Sequence, residues 1–467
     1  MSDMQIHFEE FLYIPALTHS AVLIAWGGFF FEVKENHGRK EYELLDVDKV
    51  TSKVPKLKGV KELIGQNSRP YGEQARIEYQ AAGGAAEEIG IAGANSVVIQ
   101  DLQPDTVYTY RVFVTEDGKE REWAAGQRLD WVIKDGKGTL APGGTYKNIF
   151  RTFPEPGTAT PPFSFLVIGD FGRGIRKAET EGHERCQLRV AEAMAAAAAD
   201  NNVRFVLTTG DNVYAKNIFG SSSGDEDDDW YSTYFQPYRY ILNRLPVFPA
   251  VGNHDDQDNE KSIDRQQVYD NLYLSTQFNQ LRDKQDCSMA LGLFYRFEFG
   301  KDVEFICLDT SKGKSQNPQF ELPENADFIK RCLARKAPQW RIVFSHHPAY
   351  SAGPRHFSEK DLQQLIKGQP DVRVCFSGHE HNFQYARDGN QHHILTGGGG
   401  KYRIEEPNPQ KLTVDQYFWG GNNEGHFLFV TIRDKQMEVC PYGYLEAFKL
   451  RQIALNPAHD GPFSIEA

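Results

Sequence analysis

Cysteine and methionine are scarce in this chain, 6 and 5 of 467 residues. The cysteines, Cys186, Cys287, Cys307, Cys332, Cys375 and Cys440, fall without paired spacing, which gives no disulfide framework. Cys307 and Cys375 lie inside apolar runs, where a thiol behaves as a small hydrophobe. A reducing, cytoplasmic setting is the expectation, secretion requiring a signal already removed. The segment Met1 to Glu10 shows no basic start followed by an apolar run. The one conspicuous apolar stretch, Ala21 to Val33, is too short and too aromatic for a membrane span and reads as buried strand. No membrane partner is expected. Cations are outnumbered as well: 52 Lys and Arg against 64 Asp and Glu give a net charge of -12. That balance argues against a nucleic-acid backbone as the main partner. There is no P-loop, and no serine elbow set between a strand and a helix.

What is present divides in two. The length suggests roughly two to three domains. Residues 1–155 are rich in β-branched and aromatic side chains with Gly, Asn and Asp turns, whereas 156–467 follow a strand, loop, helix grammar. In the first part a turn at Gln103-Pro104-Asp105 leads into an alternating strand, Val107 to Val114. The pattern Leu-x-Pro-x-Thr-x-Tyr-x-Tyr-Arg across 102–111 resembles the penultimate strand of a fibronectin type III-like β-sandwich. Ser52 to Arg69, Lys-rich and irregular, reads as a surface excursion, and Phe153 to Pro162, with four prolines, as an interdomain linker. Strands are predicted at 163–168, 204–209, 247–251, 293–299, 303–308, 341–345 and 372–377, with helices at 187–199 and 230–243. This alternation argues an α/β core. The acidic run Ser221 to Asp229 reads as a solvated loop.

Metal-ligand residues cluster where these strands run out: Gly169-Asp170-Phe171-Gly172, Gly210-Asp211-Asn212-Val213-Tyr214, Gly252-Asn253-His254-Asp255, Val343-Phe344-Ser345-His346 and Gly378-His379-Glu380-His381. Loops converge at the carboxyl ends of strands in α/β sheets, and glycine lets the backbone turn close to an ion. Eight of the 14 histidines lie between His254 and His393. Singly, each residue has an ordinary reading: a turn aspartate, a capping asparagine, a core tyrosine. The joint order carries the inference.

That order resembles the signature of purple acid phosphatases, within the calcineurin-like metallophosphoesterases, over residues 163 to 450. The resemblance implies an α/β (α+β) four-layer sandwich, two packed sheets flanked by helices, behind the fibronectin type III-like domain. It implies two metal ions bridged by Asp211. One would take Asp170, Asp211, Tyr214 and His381; the other Asp211, Asn253, His346 and His379. Phenolate and carboxylates suit Fe(III), and imidazoles with an amide oxygen suit divalent Zn, Mn or Fe. The activity implied is hydrolysis of a small phosphate monoester by a metal-bound hydroxide, against a barrier that demands about 20 kcal/mol of catalysis. The metals would also supply the local cations an acidic protein needs to bind phosphate.

The resemblance also places His254 beside the substrate, orienting phosphate or passing a proton, and implies that His356 acts on the leaving group or phosphate. Arg355, adjacent to His356, could neutralise phosphate charge. His347 reads as support for His346, and His392-His393 as a strand entering the loop Gly397 to Gly400. A phosphodiesterase or nucleotide pyrophosphatase on the same metals, or a non-catalytic binding module, are the competing readings. The chain leaves room for a homodimer.

Overall fold

The computed structural model describes residues 5–36, 39–54, 57–58, 60, 62–134, 137–175, 186–199, 202–214, 230–255, 265–289, 292–311, 319–421, 424–445, 449–452, 455–456 and 462–467. The acidic run at 221–229 lies outside them. The amino-terminal region is all β. One sheet is built on the long strand Val22–Asn36, which takes Gln5–Leu17 on one side and Ser96–Ile99 and Arg39–Leu44 on the other. A second sheet runs Ile149–Arg151, Val107–Glu116, Gln74–Ala81, Ala86–Ala92. Alternation along Val107–Glu116 sends Tyr108, Tyr110, Val112 and Val114 into the core. Two excursions depart from a plain sandwich, a helix at Val47–Lys53 and a hairpin of Gln127–Lys134 with Lys137–Thr145.

The expected surface excursion at 52–69 is only partly one. Leu63 and Ile64 are 1% and 0% exposed, because the segment folds back and Leu57 and Leu63 close a small core with Phe30, Leu45 and Val50. Nor is 153–162 a loose tether. Phe153 stacks among Phe205, Phe248 and Phe299, with centroids 5.1–6.2 Å away, so the join is packed. A buried ion pair, Arg239 to Glu9 at 2.5 Å, ties the two halves elsewhere. The hairpin reaches further, and Trp131 Nε1 donates to Ile175 O at 3.0 Å, holding the loop that follows Asp170.

From residue 163 on, two sheets face each other. The first runs Val247–Pro249, Val203–Thr208, Phe163–Ile168, His426–Arg433, Gln436–Leu445, and its first three strands are parallel. The second has nine strands, including the parallel set Val303–Cys307, Trp340–Phe344, Val372–Ser377 and Gln391–Thr396. Every residue of Phe163–Ile168, Val203–Thr208 and Trp340–Phe344 is buried, as expected for strands covered on both faces. Phe165 bridges the layers edge-on, 5.4 Å from Phe305 and 6.1 Å from Phe376. The predicted helices are found at Gln187–Ala199 and, after a π turn at Tyr231–Phe235, at Gln236–Leu242. Both sets of parallel strands point their carboxyl ends at one place.

Candidate metal centre

The two sheets deliver their loops to a common point at some conformational cost. Asp170, Asp211 and His379 hold positive φ angles of 56°, 52° and 72°, a region that side chains other than glycine rarely occupy. Backbone strain of this kind persists where surrounding structure enforces it, commonly at functional sites. The neighbouring glycines are sterically required. A Cβ on Gly252 would lie 2.2 Å from Asp211 Oδ1, and one on Gly378 would lie 2.5 Å from Asp170 Oδ2.

The donors fall into two groups. In one, Tyr214 OH lies 3.3 Å from Asp170 Oδ1 and 3.2 Å from His381 Nε2, with Asp170 Oδ1 and His381 Nε2 3.4 Å apart. In the other, His346 Nε2 lies 3.0 Å from Asn253 Oδ1, 3.0 Å from His379 Nδ1 and 3.4 Å from Asp211 Oδ1. Donors around one ion at about 2.0–2.2 Å are themselves roughly 2.9–3.4 Å apart. Asp211 connects the groups: its carboxylate, that of Asp170 and the His346 ring place donor atoms within 4.8 Å of one another.

Hydrogen bonding explains why these contacts fit cations better than a network. His346 Nδ1 is 2.8 Å from the carbonyl of Thr209, which can only accept, so the ring proton sits there. In the neutral ring, the form that ligates a metal, Nε2 then presents a lone pair toward the oxygens of Asn253 and Asp211. Lone pairs facing one another are repulsive unless a cation lies among them, and a carbonyl behind the ring is the usual support for a metal-bound histidine. His381 Nδ1 is buried with no hydrogen-bond partner among the described residues. Charge tells the same story. Burial, and then Asp211, hold the Asp170 carboxyl well above its ordinary range, and burial with Asp170 raises the Tyr214 phenol likewise. Burial depresses His379 and His381, assisted by neighbouring imidazoles and Arg403. A bound cation would reverse the shifts of the carboxyl and the phenol, and it takes the imidazoles in the neutral form that burial already favours. The residues present fit two ions.

Around them, His254 donates its backbone N–H to Asp211 Oδ1 at 3.0 Å, and its ring lies 4.5 Å from that of Tyr214. Burial lowers its pKa, and Nδ1 has no hydrogen-bond partner among the described residues. His356 stacks 3.9 Å from His379 and is pushed down to about 4 by burial and then Arg403. His347 packs against His346 and His379 with its Nδ1 3.1 Å from the Thr310 hydroxyl. It also brings a donor atom within reach of those two rings, although the Thr310 hydroxyl already occupies Nδ1. His392 and His393 lie on the strand Gln391–Thr396, and the glycine loop beyond it touches the site: Gly400 N donates to Asp170 O at 3.1 Å.

Arg355 is placed differently from the sequence reading. Its guanidinium pairs with Glu405 at 2.5 Å on the exposed rim, and the cation beside His356 is Arg403, at 3.4 Å. Three further residues were missed. Arg403 follows the glycine loop Gly397 to Gly400. Glu380, between His379 and His381 in the sequence, is fully buried, and its Oε2 accepts from His356 N at 2.9 Å. Asp255 accepts from Gly252, Asn212 and Val213 backbone N–H at 2.8–3.2 Å and from the Asn212 amide, fixing the loop that carries Asp211 and Tyr214. Burial and then Asp211 raise it to about 7. Arg173, in the loop held by Trp131, lies 5.4 Å above the Tyr214 ring. Only the string Gly-Asn-His-Asp and the position of Glu380 between two histidines gave any signal for these.

Comparison with known proteins bears on the family and the fold. Residues 163–383 match the calcineurin-like phosphoesterase family. Tartrate-resistant acid phosphatase type 5 of Oryctolagus cuniculus is 26% identical over 308 residues, covering 62% of this chain and 89% of its own. Purple acid phosphatase 7 of Arabidopsis thaliana is 23% identical over 258 residues, covering 51% and 70%. The solved structure of purple acid phosphatase PPD1 from yellow lupin (Lupinus luteus) superposes with a TM-score of 0.58 at 14% identity, covering 98% of this chain and 74% of that one.

Proposed function

We propose, from the premise that residues 163–383 are a calcineurin-like phosphoesterase domain homologous to the purple acid phosphatases, that this chain hydrolyses phosphate monoesters at a dinuclear metal centre. The observation that carries the reading is the pair of donor groups sharing Asp211. Asp170, Asp211, Tyr214 and His381 would hold Fe(III), for which a phenolate and carboxylates are a hard, anionic set; Asp211, Asn253, His346 and His379 would hold a divalent ion. When bound, the two ions supply positive charge for the phosphoryl oxygens and an acidified water as nucleophile.

The side chains do the rest. His254 stands beside Tyr214, half-buried, where its imidazole is suited to hydrogen-bond a phosphoryl oxygen or to pass a proton to the departing oxygen. His356 lies against His379 with Arg403 beside it, an imidazole and a guanidinium that can hold the ester's remaining oxygens. Asp255 keeps the Asp211 loop in its left-handed conformation. None of this needs a serine or cysteine nucleophile.

The purified protein should turn over p-nitrophenyl phosphate and lose that activity in EDTA. Turnover of bis-p-nitrophenyl phosphate in preference to the monoester would move the assignment to a phosphodiesterase. Absence of both activities in metal-loaded protein would leave a binding module instead. Tyr214 offers an independent check. The iron-loaded protein should absorb broadly in the visible through a phenolate-to-Fe(III) transition, and Tyr214→Phe should bleach it. An active, iron-loaded protein without such a band would remove Tyr214 from the ligand set.

A further inference from the structure

The loop that carries two of the proposed ligand imidazoles also holds a carboxylate that is not among the clustered donors. Glu380, between His379 and His381 in the chain, is 0% exposed. Short backbone bonds fix it there: its N–H donates to Gly378 O at 2.9 Å, and its carbonyl accepts from Asn382 N at 2.8 Å. A carboxylate buried this completely costs free energy unless it is paired and hydrogen-bonded. A neutral side chain would fill the same space at less cost, so its partners are the informative feature.

The two carboxylate oxygens face two different loops. Oε2 accepts the backbone N–H of His356 at 2.9 Å, and Oε1 lies 3.7 Å from Arg403 Nη1. Both Oε1 and Nη1 are buried without a hydrogen-bond partner among the described residues, so each is compensated there by the other's charge. Arg403 is held at two further points. Its backbone N–H donates to His381 O at 2.9 Å, and Nη2 reaches His356 Nε2 at 3.4 Å. The His356 ring in turn lies 3.9 Å from that of His379. Glu380, His356 and Arg403 therefore close a triangle whose buried corner sits on the ligand loop. The facing loop is shaped to the carboxylate, because a Cβ on Gly353 would lie 2.4 Å from Glu380 Cδ. A guanidinium is a rigid, permanently charged fork, so engaging both of its terminal nitrogens fixes the direction it presents.

We infer that Glu380 is a positioning residue for phosphate binding: one oxygen sets the His356 backbone and the other the Arg403 guanidinium, so that imidazole and guanidinium meet the phosphoryl oxygens together. The inference rests on the proposed function and deepens it, since it takes His356 and Arg403 as the groups that hold the ester. Glu380 itself touches neither substrate nor metal. Its charge acts through Arg403.

The test is Glu380→Gln in the full-length, metal-loaded protein, with Arg403→Gln and the double variant beside it. The amide keeps an oxygen for His356 N–H and loses only the charge. Metal content should stay at the level of the unaltered protein. The calorimetric Kd for inorganic phosphate and the KM for p-nitrophenyl phosphate should rise together about tenfold, the low end of what a hydrogen bond to a charged group contributes. The accompanying fall in kcat should be less than about threefold. The double variant should bind phosphate within about twofold of Arg403→Gln alone, as expected of residues that act as one unit. If the amide variant does not fold, Glu380→Asp, which keeps the charge but withdraws it by one methylene, is read against the same measurements. Loss of a metal equivalent, an unchanged Kd, a loss confined to kcat, or effects of the two substitutions that multiply would each overturn the inference and leave the phosphatase assignment intact. If the unaltered, metal-loaded protein hydrolyses no monoester at all, the assignment fails first and the positioning role with it.

Discussion

Asp211→Asn is expected to reduce turnover to background and to lower the occupancy of both metals together. The carboxylate lies 3.4 Å from His346 Nε2 on one side and shares a cluster with Asp170 on the other, so it belongs to both donor groups. An amide keeps the shape and one oxygen but not the charge that balances two ions, and each ion has few protein donors to lose. Asp211 also accepts the His254 backbone N–H at 3.0 Å, which an amide oxygen can still do, so the loop should hold its place. Elemental analysis of the purified variant decides the matter. One ion lost with the other fully retained would make Asp211 a ligand to a single ion and break the bridging assignment.

For His254→Ala the expectation is the opposite pattern: both metals retained, with kcat/KM down roughly 10²-fold, the range for a positioned proton donor. The structure gives the reason for the split. The contact of residue 254 with Asp211 is made by its backbone N–H, which alanine keeps, whereas the ring contributes no donor to either group. The loss should shrink across a series of phenyl phosphates as the leaving group becomes more acidic, if the imidazole protonates the departing oxygen. A loss that stays constant across the series would mean that His254 binds phosphate only. One metal equivalent missing from the variant would instead make His254 a ligand.

Much of the centre could be read from the chain because its parts are local. Gly-Asp, Gly-Asn-His and Gly-His-x-His each need a buried strand, a sharp turn and a donor within a few residues, and apolar runs announce the strands. The alternating segment at 107–114 and the helix at 187–199 were legible for the same reason, since their periodicity is a property of neighbours in sequence. Arg355 and Arg403 show where that stops. Both are arginines in polar loops, and nothing nearby in sequence says that one pairs with Glu405 on the rim while the other, 48 positions later, stands beside His356. The burial of Leu63 and Ile64, against expectation for a Lys-rich segment, depends likewise on strands distant in the chain.

The sequence by itself determined the ligand types, their order and their attachment to strand ends, because hydrophobic patterning and glycine turns are encoded within a few residues. The division into two groups was implied by the family resemblance; only the tertiary structure brings the donors together in space, Tyr214 with Asp170 and His381 in one place and His346 with Asn253 and His379 in the other. It also decided that Arg403, rather than Arg355, stands beside His356. Those are distances between loops of two different sheets. They are set by how the sheets pack against each other through side chains such as Phe165, Phe305 and Phe376, and no local pattern contains that packing.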